Sequence, residues 1–81
     1  MWFVYIILCA DNSLYTGFSN HPEKRFRQHA EGKGAKYTKT HQPIKIIYEE
    51  QFTTKIEALK RESEIKSWPR SKKIKTLKLE L

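Results

Sequence analysis

The chain has 81 residues, with 16 Lys and Arg against 9 Asp and Glu, for a formal net charge of +7. That length is expected to make one domain, residues 1–81, with a small core, and it excludes a dinucleotide-binding fold. The single cysteine, Cys9, excludes an internal disulfide and a cysteine-built zinc cage, which suits a reducing cytoplasm.

Met1 to Ala10 carries no charge. A membrane span needs about 20 apolar residues and a signal peptide begins with basic ones, so no membrane association is expected. Residues 2–9 are β-branched and aromatic and predict a buried central strand. Asp11-Asn12 marks a turn, and Leu14 to Phe18 returns as a second strand. Pro22 stands at or near the first position of a helix, with Glu23 where the dipole favours an acid. That helix is expected to end at Gly32 or Gly34, and Gly32 to Pro43 reads as a loop. Ile44 to Phe52 is a third strand. Thr54-Lys55-Ile56-Glu57 fits a capping box and opens a second helix, which Pro69 ends. Ser71 to Leu81 reads as a short third helix; the tail from Trp68 is open to sheet packing, fraying or nucleic-acid contact. The order β-β-α-β-α-α predicts an α+β fold with a small, mainly antiparallel sheet.

Charge is unevenly spread. Residues 1–20 carry a net of −1, residues 21–48 carry +5 and residues 49–81 carry +3. A basic excess of this kind points to a polyphosphate partner, DNA or RNA.

Three features do not fit a purely structural reading. With Lys55 at 0° and about 100° per residue, Ala58 falls near 300° and Leu59 near 40°. Glu62 falls near 340° in the same apolar arc, while Glu64 falls near 180°. An inward carboxylate needs a cationic partner, a hydrogen-bond network or a metal. Arg25 and His29 lie four apart on one face of the first helix, bordering a core side marked by Phe26 and Ala30. Arg25 suits a phosphate, and an ion pair with Glu62 is the alternative. Tyr5 and Tyr15 sit on paired strands. A two-residue loop would put them on opposite faces; an odd-length loop would put both on one face with Gly17.

Other residues carry less. His21 and His41 have no metal-like spacing and read as exposed. Cys9 reads as a small core residue. The run Gly32 to Thr38 lacks P-loop spacing; as an alternative to a plain loop, it presents backbone N–H groups, Lys36 and Thr38 to a phosphate.

Phe3-Val4-Tyr5, followed ten residues after Tyr5 by Tyr15-Thr16-Gly17, resembles the paired motif of GIY-YIG endonucleases. Arg25 lies eight residues after Gly17 and His29 four beyond, as that family's helix carries them. Glu62 stands on the helix after the third strand, where the family holds its metal ligand. Small stand-alone members carry a similar Gly-Lys-Gly-Ala-Lys-Tyr-Thr run and a similar Ala58-to-Glu62 segment. The resemblance covers nearly the whole chain. Phe3 replaces the first motif's Gly and Thr16 the second motif's Ile. No Asn follows Asn20, although many members carry one about a dozen residues beyond the metal Glu, near Ile74 here.

The resemblance implies a three-stranded antiparallel sheet flanked by helices and hydrolysis of a phosphodiester with one Mg²⁺ or Mn²⁺. It implies that Glu62 holds the metal, Arg25 neutralises phosphate charge and Tyr5 takes the proton of the attacking water with help from the metal, Arg25 or His29. Tyr15 would position water or Tyr5, and Gly17 would leave room for phosphate. The expectation is a monomeric DNA endonuclease, acting on branched or damaged DNA as in repair. No targeting domain is expected, so a protein partner would supply the target. The alternatives are a nucleic-acid-binding module with little cleavage of its own, and a protein-interaction domain for an acidic partner. The catalytic reading requires Tyr5 and Glu62 to reach one site; placement on opposite faces of the sheet would sink it.

Overall fold

The uncharged opening segment becomes the middle of the sheet. In a computed structural model describing all residues from Met1 to Leu81, β1 (Trp2–Cys9) runs between β2 (Leu14–Ser19) and β3 (Pro43–Phe52), antiparallel to both. The helices are α1 (Pro22–Ala30), α2 (Lys36–Thr40), α3 (Lys55–Lys66) and α4 (Arg70–Leu77). Both faces of β1 are covered, which is why it reads as a continuous apolar run rather than an alternating one. Val4 and Ile6 pack with Ala58 and Ile65 of α3 and with Leu79. Tyr5, Ile7 and Cys9 form the opposite layer with Tyr15, Ile46 and Phe26 of α1. The tail is settled by packing: Trp68, Ile74 and Leu77 lie against the α3-side layer.

The hairpin register decides the tyrosine question. Asn12 takes the left-handed conformation at φ 70°, and the Ser13 N–H and hydroxyl both donate to Asp11 Oδ1. The Cys9 N–H donates to the Ser13 carbonyl at 2.9 Å, enclosing three residues, Ala10 to Asn12. This odd loop pairs Tyr5 with Gly17 and Ile7 with Tyr15, so both tyrosines and Gly17 share the α1 face. On the β3 side, the register shifts between Ile6 and Ile7, passing from Tyr48 to Ile46 and leaving Ile47 as the extra residue of a bulge.

The capping box forms as expected. Thr54 Oγ1 accepts from the Glu57 N–H at 3.2 Å, and the Glu57 carboxylate accepts from the Thr54 N–H at 3.1 Å. Helix α3 ends at Lys66, and Pro69 instead caps the start of α4. Helix α1 ends at Ala30, short of Gly32, which adopts φ 76° just beyond. Ala30 is exposed, and His29 is the more deeply buried residue of that turn. The Gly32–Pro43 stretch is not all loop: Lys36 to Thr40 make a helical turn, giving β-β-α-α-β-α-α. His41 at its end is only partly exposed; it stacks on Tyr37 at 4.0 Å and pairs with Asp11 at 2.5 Å. No helix is long and apolar enough to cross a membrane.

Candidate active site

Tyr5 is 1 % exposed, because its ring lies over Gly17 on the neighbouring strand. A Cβ at Gly17 would stand 2.7 Å from the Tyr5 hydroxyl oxygen and 3.1 Å from the Tyr15 ring. The space above Gly17 thus holds the end of Tyr5. The Tyr5 Oη lies 3.1 Å from His29 Nε2. His29 is completely buried, and its Nδ1 is 2.8 Å from Thr38 Oγ1. The Thr38 hydroxyl donates to the Ala35 carbonyl at 2.9 Å. With its one proton engaged there, Thr38 accepts from His29 Nδ1–H, and Nε2 is free to accept from the Tyr5 O–H. The Ala35 N–H also approaches Nδ1, at 3.3 Å, the longest of these contacts and the one this tautomer leaves unmet.

Burial pushes the Tyr5 phenol well above its usual range, with the Tyr15 and Glu62 charges adding to the rise and Arg25 opposing it. Burial, and then the Arg25 charge, push His29 down to about 4. At neutral pH both groups of this pair are therefore uncharged. Tyr15 meets the His29 ring edge-on at 5.0 Å and stacks on Tyr37 at 5.8 Å.

Arg25 is half-buried on α1. Its Nη1 donates to Gln28 Oε1 at 2.9 Å, and it opens on a polar cavity of about 200 Å³ lined with Ser19, Asn20, His21, Lys24 and Gln28. It does not pair with Glu62, so the alternative Arg25–Glu62 bridge does not form. Glu62 pairs with Lys66 one turn on, at 3.3 Å. The Glu62 side chain is 12 % exposed and that of Glu64 is 54 % exposed, as their helical phases require.

Helix α3 covers the Val4–Ile6 face, opposite the layer that holds Tyr5. Helix α3 also packs on β2, the edge strand, and the Glu62 charge makes only a minor contribution to the rise of the Tyr5 phenol. Lys66 lies 5.9 Å over the Tyr15 ring. The Glu62–Lys66 pair is thus turned toward the β2 edge, beside Tyr15.

Tyr5, Tyr15, Gly17 and His29 thus cluster on one face, Arg25 lies on the same helix as His29, and Glu62 is linked to that cluster through Lys66 and the Tyr15 ring. Lys36 is exposed on α2, outside it. Thr38 is 3 % exposed with its hydroxyl turned inward to His29, and so supports the site from behind. Two residues went unrecognised in the sequence. A Cβ at Gly34 would come 2.1 Å from His29 Nδ1, so only glycine lets this loop close over the imidazole. Lys66 is the other, and its spacing of four from Glu62 was the available signal.

No three His, Cys, Asp or Glu residues converge as a metal cage. A cation at Glu62 would take one protein carboxylate, with water and substrate oxygens completing its shell. That donor set fits Mg²⁺ or Mn²⁺, which keep several waters, and not structural zinc.

A model of the GIY-YIG catalytic domain matches residues 1–75. A UPF0213 protein of Staphylococcus saprophyticus is 52% identical over 75 residues, covering 93% of this chain and 92% of that one. Another from Staphylococcus haemolyticus is 51% identical over the same shares. The solution structure of a UPF0213 protein from Bacillus halodurans superposes with a TM-score of 0.62 at 39% identity, covering 96% of this chain and 84% of that one. A second solution structure, of a protein from E. faecalis, gives 0.64 at 40% identity over 94% and 81%. On sequence and fold together, this chain belongs to the GIY-YIG family of nuclease domains.

Proposed function

We propose that the chain is a metal-dependent endonuclease that hydrolyses phosphodiester bonds in DNA, of branched or damaged form. The observation that carries this reading is the buried Tyr5–His29 contact, at 3.1 Å, over Gly17 and beside Tyr15, with Arg25 on the same helix as His29. A phenol held this far above neutral is protonated and cannot be a base alone. His29, neutral in the free chain, is the acceptor within reach, and a bound phosphate's negative charge would raise its proton affinity above that of the free chain. As water attacks phosphorus, the water proton passes to the Tyr5 oxygen while the Tyr5 proton passes to His29 Nε2. Nδ1–H stays on Thr38, so the imidazolium is held by an existing hydrogen bond. Arg25, facing the polar cavity, neutralises charge gathering on the phosphate oxygens. Glu62 would hold the Mg²⁺ or Mn²⁺, which when bound supplies charge stabilisation for the departing oxygen. The buried free thiol of Cys9 suits work in the reducing cytoplasm.

A second reading, a binding module with little cleavage of its own, is favoured by one observation: Lys66 already neutralises Glu62. Branched and nicked DNA incubated with the protein in Mg²⁺, Mn²⁺ or chelator separates the two. Cleavage should need the metal and fall about 10²–10³-fold in Arg25→Ala and in Glu62→Ala, each checked for folding. Binding without cleavage on every substrate would favour the module. Cleavage surviving both substitutions would remove the site assignment.

A further inference from the structure

Beyond the Tyr5 centre, a concavity of about 230 Å³ opens between the hairpin and α4, lined by Ser13, Leu14, Tyr37, Arg70 and Lys73. Its charges are of one sign. Arg70 is held in place, donating through Nη1 to the Asn12 carbonyl in the β1–β2 turn, which leaves the rest of its guanidinium fork available. Lys73 is half-buried and forms no ion pair; the chain's ion pairs are His41–Asp11, Arg61–Glu50, Arg61–Glu64 and Lys66–Glu62. Burial, and then the charge of Lys66, push the Lys73 ammonium down from its ordinary value. The one acid in the neighbouring turn, Asp11, is engaged by the Ser13 hydroxyl and His41. A half-buried ammonium, set near two other cations and without a carboxylate, lacks the counter-charge that ordinarily accompanies burial.

The concavity is also joined to the candidate active site. Its wall residue Tyr37 stacks on Tyr15, and Lys66 stands between Glu62, the Tyr15 ring and Lys73. Tyr37 is already stacked with Tyr15 and with His41. The recognition chemistry offered is charge and hydrogen bonding toward an anion.

We infer that Arg70 and Lys73 form a second phosphate-binding subsite, which takes a backbone phosphate flanking the one at Arg25. This rests on the endonuclease reading above. The subsite reads no sequence, since phosphate contacts position a strand without specifying bases. It gives α4 a task in orienting the strand across the β2 edge.

The test uses the full chain in chelator, so that binding is measured without cleavage. Fluorescence anisotropy with a labelled DNA oligonucleotide across a salt series is compared for wild type, Lys73→Gln, Arg70→Gln and Lys60→Gln. Lys60 is an exposed control on α3, beside Glu57 and Glu64. Lys73→Gln should weaken binding to unrelated sequences alike and lower the slope of log K against log salt by about one. Arg70→Gln should do the same, and Lys60→Gln should leave the slope unchanged. An unchanged slope in both Lys73→Gln and Arg70→Gln would overturn the subsite while leaving the endonuclease reading intact. Failure of wild type to bind or cleave any DNA would instead sink that reading.

Amide NMR titration supplies the second arm. Oligonucleotide should shift Ser13, Tyr37 and Lys73, with the shifts lost in Lys73→Gln. Shifts with inorganic phosphate but not with oligonucleotide would refute the strand assignment.

Discussion

His29 links folding to chemistry, because it is titratable and yet completely enclosed. In the unfolded chain its pKa is about 6.5; in the folded chain it is pushed down to about 4. Between those values the unfolded state binds a proton that the folded state refuses. Stability from this group is therefore complete above about pH 6.5, falls as pH drops toward 4, and levels off below. The loss is about 3 kcal/mol. Urea unfolding at pH 7 and pH 4 checks it: wild type should lose that much more stability than His29→Gln, and an equal loss in both would contradict the assignment. At this scale the sequence was readable where helical phase decides orientation. Glu62 points inward and Glu64 outward because they differ by two residues on one helix. The partner of Glu62 was not readable in the same way. Arg25 and Lys66 both satisfied the charge requirement, and only packing chose between them.

Thr16 shows how one element carries a local cost. It stands on β2 opposite Ile6, 3 % exposed, and its hydroxyl has no hydrogen-bond partner. Such a group costs about 1–3 kcal/mol of desolvation without return. Thr16→Val keeps the shape and β-branching while removing the hydroxyl, so it should raise stability by about 1 kcal/mol in urea unfolding. A loss of stability would mean that the hydroxyl has a partner. The strands, the capping box and the antiparallel order were legible because each has a local chemical signature. The face shared by Tyr5 and Tyr15 was not, since it turns on loop parity, and Asp11-Asn12 is compatible with both lengths. Helix α2 was hidden for a different reason. Five residues, Lys-Tyr-Thr-Lys-Thr, hold no apolar periodicity, and the helix is retained by Thr38 under His29 and by Tyr37 stacked with Tyr15 and His41.

For the whole molecule, the sheet separates two packed layers, and the candidate site lies where they meet at the β2 edge. Helix α1 brings Arg25 and His29 to one face; α3 brings Glu62 around from the other. No single segment of the sequence contains that arrangement, which is why the spacing of residues could nominate candidates without fixing their geometry. Size and charge complete the picture: 81 residues supply the core, and a net charge of +7 supplies attraction to phosphate. The central claim is that the Tyr5 phenol relays a proton to His29 at a site shared with Arg25 and Glu62. The most direct measurement is the single-turnover rate of DNA cleavage by wild type and by Tyr5→Phe, the variant's fold being verified by NMR. Losing the hydroxyl while keeping the ring should lower the rate by about 10²-fold or more. A Tyr5→Phe protein that cleaves at the wild-type rate would contradict the claim.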